Sequence, residues 1–222
     1  FRTGTGAANS YPLISPVVIN ELMTAPPAHL HLAPADGEFI ELVNRTGAAV
    51  PLHDPARPAN RWRLTEAVEF TFPPDAVVPA GGRVLVVGFN PATNPAKLAA
   101  FASHYDVPAG TTIFGPYSGR LSAAGETLRL ERPDRPETSG PDIGLVPYLA
   151  VEHVAWLGTA PWPVEGLGQG ASLQRFAAPE YANDPVNWRA GIPTAGNPNR
   201  ANPLDSDGDG LPDWWELTYG RD

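Results

Sequence analysis

Short runs of β-branched and aromatic residues, separated by Pro, Gly, Asn or Asp, recur along most of the chain. Leu128 and Leu130 alternate with Thr127, Arg129 and Glu131, which is the period of a strand with one buried face. Many short strands separated by turn residues are typical of an all-β fold, an antiparallel sandwich or barrel. The predicted strands cover residues 17–23, 38–44, 61–64, 69–72, 83–87, 127–131, 151–157 and 172–176.

The same alternation appears in residues 38–44. Ile40 and Leu42 share one face of this predicted strand, and Phe39, Glu41 and Val43 share the other. We therefore expect one dry face and one solvated face.

One segment has a helical period instead. Asn94 can cap a helix that has Pro95 in its first turn. Leu98, Phe101 and Tyr105, together with Ala102, then form an apolar stripe. The pattern predicts one short helix packed on the sandwich.

The chain divides into three parts by composition. Residues 1–16 are rich in Gly, Thr, Ala and Asn without an apolar period, which predicts a flexible N-terminal arm. Residues 17–199 carry the strand pattern, and within them residues 133–147 are rich in Pro and Gly and predict a surface loop. Residues 200–222 form a separate acidic segment.

Charge and composition exclude several classes of function. The 222 residues include 15 Lys and Arg against 24 Asp and Glu, a net charge of −9, and there is no Cys. Disulfide scaffolds and cysteine nucleophiles are therefore excluded. Nucleic acid is a poor partner because Lys97 is the only lysine and the arginines are scattered. No apolar run is long enough for a membrane helix.

The order of these segments resembles the lamin tail domain, an immunoglobulin-like sandwich of nuclear lamins that also occurs in secreted bacterial proteins. The resemblance covers roughly residues 17–199, and its order makes it more specific than any single piece. The matching segments are VINELM at 18–23, GEFIELVN at 37–44, WRL at 62–64, FTFPP at 70–74, VPAGG at 78–82, GPYSGRL at 115–121, AGETLRL at 124–130, GASLQR at 170–175, NDPVNW at 183–188 and the exit at 193–199.

The resemblance implies a fold and a loose role. It is closest to the bacterial branch, which implies a non-catalytic, extracellular or cell-surface module. No coiled-coil rod, basic import stretch or prenylation box accompanies it in this sequence, so nuclear filament formation is not implied. The resemblance brings no catalytic or ligand-binding residues with it, and a fold alone does not supply a function.

The strongest chemical signal is an acidic run of twelve residues near the end of the chain. Oxygen ligands fall at positions 1, 3, 5, 9 and 12, Gly210 stands at position 6, and the carbonyl of Leu211 stands at position 7. This spacing fits the twelve-residue calcium loop, because a hard divalent cation binds six to eight oxygens and the loop must turn sharply at position 6. The predicted side-chain ligands are Asp205, Asp207, Asp209, Asp213 and Glu216.

The loop differs from a paired EF-hand. Pro212 at position 8 has no amide to bond to a sister loop, and the residues before Asp205 do not form an entering helix. It resembles the solitary calcium repeats of thrombospondin type 3 and dockerin segments, followed by a short helix. We expect weak, extracellular-class affinity, about 10⁻⁴ to 10⁻³ M. An acidic tail that binds nothing specifically is the alternative.

Other candidate residues favour simpler explanations. His29 and His31 could join a metal site, but loop histidines fit better. Glu21, Glu38 and Glu41 could form a carboxylate pair for acid–base catalysis, but solvated strand faces explain them better. Two tryptophans could stack on a sugar ring, with packing at the sandwich end as the alternative. They are Trp156 and Trp162.

The sequence therefore predicts a secreted, non-enzymatic, calcium-binding sandwich that serves adhesion, spacing or assembly. Self-assembly by strand addition through the arm of residues 1–16 is one form of this hypothesis. The alternative is a carbohydrate-binding module attached to a secreted enzyme. No hydrolase constellation of nucleophile and base is visible in the sequence.

Overall fold

The computed structural model describes residues 14–27, 32–163 and 170–199. These ranges contain two helices, α1 (Pro34–Gly37) and α2 (Pro95–His104), and a short 3-10 turn at Pro185–Asn187. The strands are β1 (Val17–Met23), β2 (Phe39–Asn44), β3 (Val50–Pro51), β4 (His53–Asp54), β5 (Arg57–Arg61), β6 (Arg63–Glu66), β7 (Val68–Thr71), β8 (Val77–Val78), β9 (Arg83–Val87), β10 (Thr112–Phe114), β11 (Ser118–Gly119), β12 (Gly125–Pro133), β13 (Tyr148–Leu157), β14 (Ser172–Arg175) and β15 (Trp188–Gly191).

The strands form the predicted all-β sandwich. A six-stranded sheet has the order β10-β9-β2-β1-β14-β15, and a five-stranded sheet has the order β11-β7-β6-β12-β13. There are also two two-stranded ribbons, β3-β8 and β4-β5. The pairs are antiparallel except β9 with β10, which is parallel. No helix in the described ranges is long and apolar enough to cross a membrane.

Two hydrophobic clusters lie on opposite faces of the six-stranded sheet. The larger fills the space between the two sheets, where Ile40 and Leu42 pack with Leu128 and Leu130. The smaller covers the outer face, where Phe39 packs edge-on against Phe101 and Tyr105 of α2. The six-stranded sheet is therefore covered on both sides.

This double cover corrects one sequence prediction. All six residues of β2 are buried, so the face that carries Phe39, Glu41 and Val43 is not solvated. Alternation predicts a solvated face only when no other element packs on that face. Here α2 and residues 192–199 pack on it. The prediction for β12 is confirmed, because Leu128 and Leu130 are buried while the alternate residues are partly exposed.

Most strand positions are confirmed to within a few residues. The predicted strands at 17–23 and 83–87 match β1 and β9 at both ends. The predicted strand at 61–64 is wrong in detail, because Trp62 interrupts it. The Trp62 amide donates to the Leu52 carbonyl, and the Trp62 carbonyl accepts from the Phe72 amide. The predicted loop lies between β12 and β13, as expected.

The predicted helix is confirmed as α2, but its cap differs. Asn94 precedes the helix, yet its side chain makes no capping hydrogen bond and instead donates to the Asn90 carbonyl at 3.1 Å. The apolar stripe packs as predicted, with Phe101 and Tyr105 buried against the outer face of the sheet.

Candidate functional site

Two carboxylates meet on the outer face of the six-stranded sheet. Glu21 of β1 and Glu41 of β2 stand directly opposite each other in the antiparallel register. Both residues are 0% exposed. Because isolated buried charges are strongly unfavourable, the groups around this pair determine what it does.

Glu21 is held by donors from β14 and from the C-terminal segment. Its Oε1 accepts hydrogen bonds from the Ser172 hydroxyl at 2.5 Å, the Thr194 amide at 2.8 Å and, at 3.3 Å, the Gln174 side chain. Its Oε2 accepts a hydrogen bond from the Thr194 hydroxyl at 2.8 Å. Both oxygens are therefore occupied by protein donors.

Glu41 is held in a similar way. Its Oε1 accepts from the Asn20 amide group at 2.7 Å, and its Oε2 accepts from the Gly196 backbone amide at 2.8 Å. Arg83 Nε lies 3.3 Å from Oε1 as an ion pair, without hydrogen-bond geometry. The Arg83 guanidinium thus lies beside the buried carboxyl group of Glu41.

Asn199 extends the network to the end of the described chain. Its Oδ1 accepts a hydrogen bond from Asn20 Nδ2 at 2.8 Å, and its Nδ2 donates to the Arg175 carbonyl at 2.9 Å. We call the set of Glu21, Glu41, Thr194, Gly196 and Asn199 the carboxylate clasp. It fixes the segment after β15 to the middle of the sheet.

Burial changes the acidity of both carboxyl groups. Desolvation raises the pKa of Glu21. Desolvation, with the neighbouring charge of Glu21, raises the pKa of Glu41 to about 8. The two carboxyl groups titrate as a pair, and burial favours one bound proton over two full negative charges near neutral pH.

The clasp has the chemistry of a structural element. A general acid or base must reach a substrate, and these side chains have no exposed surface. A cation would have to displace donors that already fill the carboxylate oxygens. In the described part of the chain, no group of three or more His, Asp or Glu residues is arranged to hold a metal ion.

A second buried ion pair joins the two sheets. Arg175 Nη1 donates to Glu152 Oε2 at 2.6 Å and to the Ile19 carbonyl at 3.1 Å. Arg175 Nη2 also donates to the Glu180 carbonyl. Burial raises the pKa of Glu152, while the charge and hydrogen bond of Arg175 act in the opposite direction. The pair locks β14 onto β13.

The prediction of solvated glutamates is wrong for all three candidates. Glu21 and Glu41 come together in the clasp, and Glu38 lies apart from them. The Glu38 carboxylate accepts hydrogen bonds from Tyr117 at 3.2 Å, the Leu121 amide at 3.1 Å and Arg120 at 3.1 Å. The sequence signal for the clasp was the pairing of one glutamate in each of two neighbouring apolar strands.

The two tryptophans proposed to bind sugar lie in the core. Trp156 is 1% exposed and donates from its indole to the Ser122 carbonyl at 2.8 Å. Trp162 is 5% exposed and packs near Trp188 with the ring centres 6.2 Å apart. Their position fits the packing alternative, because neither ring presents a face to a ligand.

The predicted calcium ligands, from Asp205 to Glu216, lie outside the described residues, as do His29, His31 and the arm up to residue 13. The clasp ends at Asn199, six residues before Asp205. Compared with known protein families and with curated proteins, the chain matches none.

Proposed function

We propose that this protein is a non-catalytic, extracellular module of lamin-tail type that binds calcium and serves adhesion, spacing or assembly. The observation that carries the proposal is the carboxylate clasp. It fastens the backbone of Thr194 and Gly196 to buried strands, and the twelve-residue acidic loop follows a few residues later. A calcium loop that serves as a spacer must be attached to a rigid part of the protein, and the clasp supplies that attachment.

The chemistry of the sandwich supports a structural role. Its most perturbed carboxyl groups are fully occupied by internal donors and lie away from solvent. Perturbed acids in an enzyme lie in a cleft where a substrate reaches them. Here the carboxyl groups with raised pKa values bind the backbone amides of Thr194 and Gly196 instead.

The loop supplies the calcium chemistry. Three alternate aspartates, a glycine at the sharp turn and a glutamate at position 12 match the donor set of a hard divalent cation. At about 1 mM calcium and a dissociation constant of about 0.1 mM, binding adds about 1.4 kcal/mol to the stability of the loop. We infer that extracellular calcium fills the site and stiffens the exit from the sandwich.

Isothermal calorimetry on the chelator-treated full chain tests this function. We expect calcium binding with a dissociation constant between about 10⁻⁴ and 10⁻³ M. Glu216→Gln should abolish the binding heat, since the position 12 side chain supplies two of the oxygens. Asp75→Asn, an exposed aspartate in the sandwich, is the matched control and should bind as the unaltered chain does. Equal heats for Glu216→Gln and Asp75→Asn would refute the proposal.

A further inference from the structure

A basic groove lies beside the β4-β5 ribbon, at the end of β12. Its volume is about 750 Å³, and its charged lining residues are Arg57, Arg132 and Arg135 against Asp54 and Asp134. Positive charge is unusual on this chain, whose net charge is −9. The groove therefore differs in sign from the protein as a whole.

Two guanidinium groups of the groove are free to bind an anion. Arg57 is paired with Asp54 at 3.2 Å, and Arg63 and Arg129 on the neighbouring strands are paired with Glu131 and Glu66. The side chains of Arg132 and Arg135 make no ion pair or hydrogen bond with any residue that the structure describes.

The acidic side chains of the groove are already engaged. Asp54 accepts hydrogen bonds from the Ala56 amide at 2.9 Å and from Arg57 at 3.2 Å. Asp134 accepts from the backbone amide of Arg135 at 2.8 Å. These hydrogen bonds do not cancel the carboxylate charges, so the lining carries three guanidinium groups against two carboxylates. A carboxylate-rich ligand complements this net charge of +1.

The strand register places the groove at a defined end of the sandwich. β1 runs from Val17, opposite Asn44, to Met23, opposite Phe39. The Glu38 carboxylate, next to Phe39, accepts a hydrogen bond from the Leu121 amide, so Leu121 lies at the Met23 end of the sandwich. β12 starts a few residues later, at Gly125. β12 therefore begins at the Met23 end and reaches the Val17 end at Pro133, beside the groove.

The last described residue, Asn199, lies on the Val17 side of the Glu21–Gln174 pair. Asn199 contacts the carbonyls of Asn20 and Arg175, and Arg175 lies on the Val17 side of the Glu21–Gln174 pair. The following residues, 200–222, carry six carboxylates against Arg200 and Arg221. For a random coil of 22 residues, the root-mean-square distance between the ends is roughly 26 Å. That distance is comparable with the length of the nine-residue strand β12, roughly 30 Å.

We propose that the acidic segment 201–222 docks in the basic groove of the same chain when calcium is absent. An exposed ion pair strengthens binding by at most about fivefold, so a free monoanion occupies such a groove poorly. A tethered segment acts at an effective concentration of about 1 mM and needs no higher affinity. Calcium and the groove draw on the same carboxylates, so calcium competes with docking. The competition with calcium rests on the proposed function, whereas the docking itself does not.

Disulfide trapping tests the docking, because the chain has no cysteine of its own. Thr218→Cys is combined with Thr138→Cys in the groove, or with Ala124→Cys in an exposed turn at the Met23 end as the control. In calcium-free, low-salt buffer we expect the groove pair to form an intramolecular disulfide at least about tenfold faster than the control pair. Sodium chloride at about 0.5 M should remove most of this difference by screening.

A charge-matched comparison tests the arginines. Arg132→Gln with Arg135→Gln should slow trapping of the groove pair to near the control rate. Arg45→Gln with Arg129→Gln removes the same charge outside the groove and should leave most of the rate. Equal rates for the two cysteine pairs, insensitivity to salt, or a covalent dimer as the main product would overturn the proposal. Calorimetric calcium binding is measured separately, so the docking and the proposed function fail independently.

Discussion

Glu21 and Glu41 face each other across the first two strands of the six-stranded sheet, and neither side chain has exposed surface. The C-terminal segment supplies the Thr194 and Gly196 amides that hold them. The stability of the sandwich therefore depends on the protonation of this carboxyl pair. It also depends on residues 194 and 196, which are far from the pair in the sequence.

The first prediction concerns pH. The ordinary pKa of Glu41 is 4.5 and its pKa in the folded protein is about 8, so the folded state binds the proton more tightly. Stability from this proton is fully present below about pH 4.5 and is lost as the pH rises through 8, by up to about 1.4 kcal/mol per pH unit. Urea unfolding of the calcium-free protein between pH 5 and 9 measures this slope.

Glu41→Gln supplies the control for the pH experiment, because the amide keeps the shape and removes the titration. Its unfolding free energy should fall less steeply with pH than that of the unaltered chain. The lowered pKa of His153 acts in the opposite direction and is common to both proteins. Parallel pH profiles would contradict the assignment.

A second prediction concerns the backbone of the clasp. Gly196 has φ of +78°, and an added Cβ would lie 3.1 Å from Pro108 and from Thr111. Gly196→Ala should therefore lower the free energy of unfolding by about 1–3 kcal/mol. Gly81→Ala has a similar positive φ with open space around it, so it should cost less. Equal losses in urea titrations would show that crowding at the clasp is unimportant.

The Arg175–Glu152 pair allows a third prediction. Glu152→Gln should destabilise the sandwich by about 3–5 kcal/mol, because it leaves the buried guanidinium without its counter-charge. The double variant Arg175→Met with Glu152→Gln should recover part of this loss. A double-mutant cycle by chemical denaturation measures the coupling, and additive effects would mean that the two groups act independently.

The fourth prediction concerns calcium removal. Calcium should protect residues 205–222 from protease in the unaltered chain, because ligation orders the loop. Asp209→Ala should abolish this protection while leaving the near-ultraviolet spectrum of the sandwich unchanged. Mass spectrometry of the cleavage products with and without chelator reads out the effect. Protection of Asp209→Ala equal to that of the unaltered chain would argue against the loop.

The sequence predicted the sandwich well because strand alternation and turn residues are local properties. β1 and β9 lie where the pattern placed them, and α2 carries the apolar stripe of Phe101 and Tyr105. The clasp was not predicted, since Glu21 and Glu41 look like ordinary outward-facing residues of half-buried strands. Their burial depends on Thr194 and Gly196, which come from the other end of the chain.

Short strands were also missed. β3, β4, β8 and β11 have two residues each, too few for a recognisable period. Their pairing comes from tertiary contacts rather than from local propensity. The basic groove depends on one of these ribbons, so its arginines could not be grouped from their positions in the sequence.

The hydrogen bond from the Thr194 amide to Glu21 closes a loop of 173 residues. Strand β1 also lies between β2 and β14, so it acquires its second neighbour only when residues 172–175 have been synthesised. Contacts this distant in sequence slow folding, because a large loss of chain entropy precedes their formation. A nascent chain emerging from the ribosome therefore carries an incomplete sheet until nearly all of the sandwich has been translated.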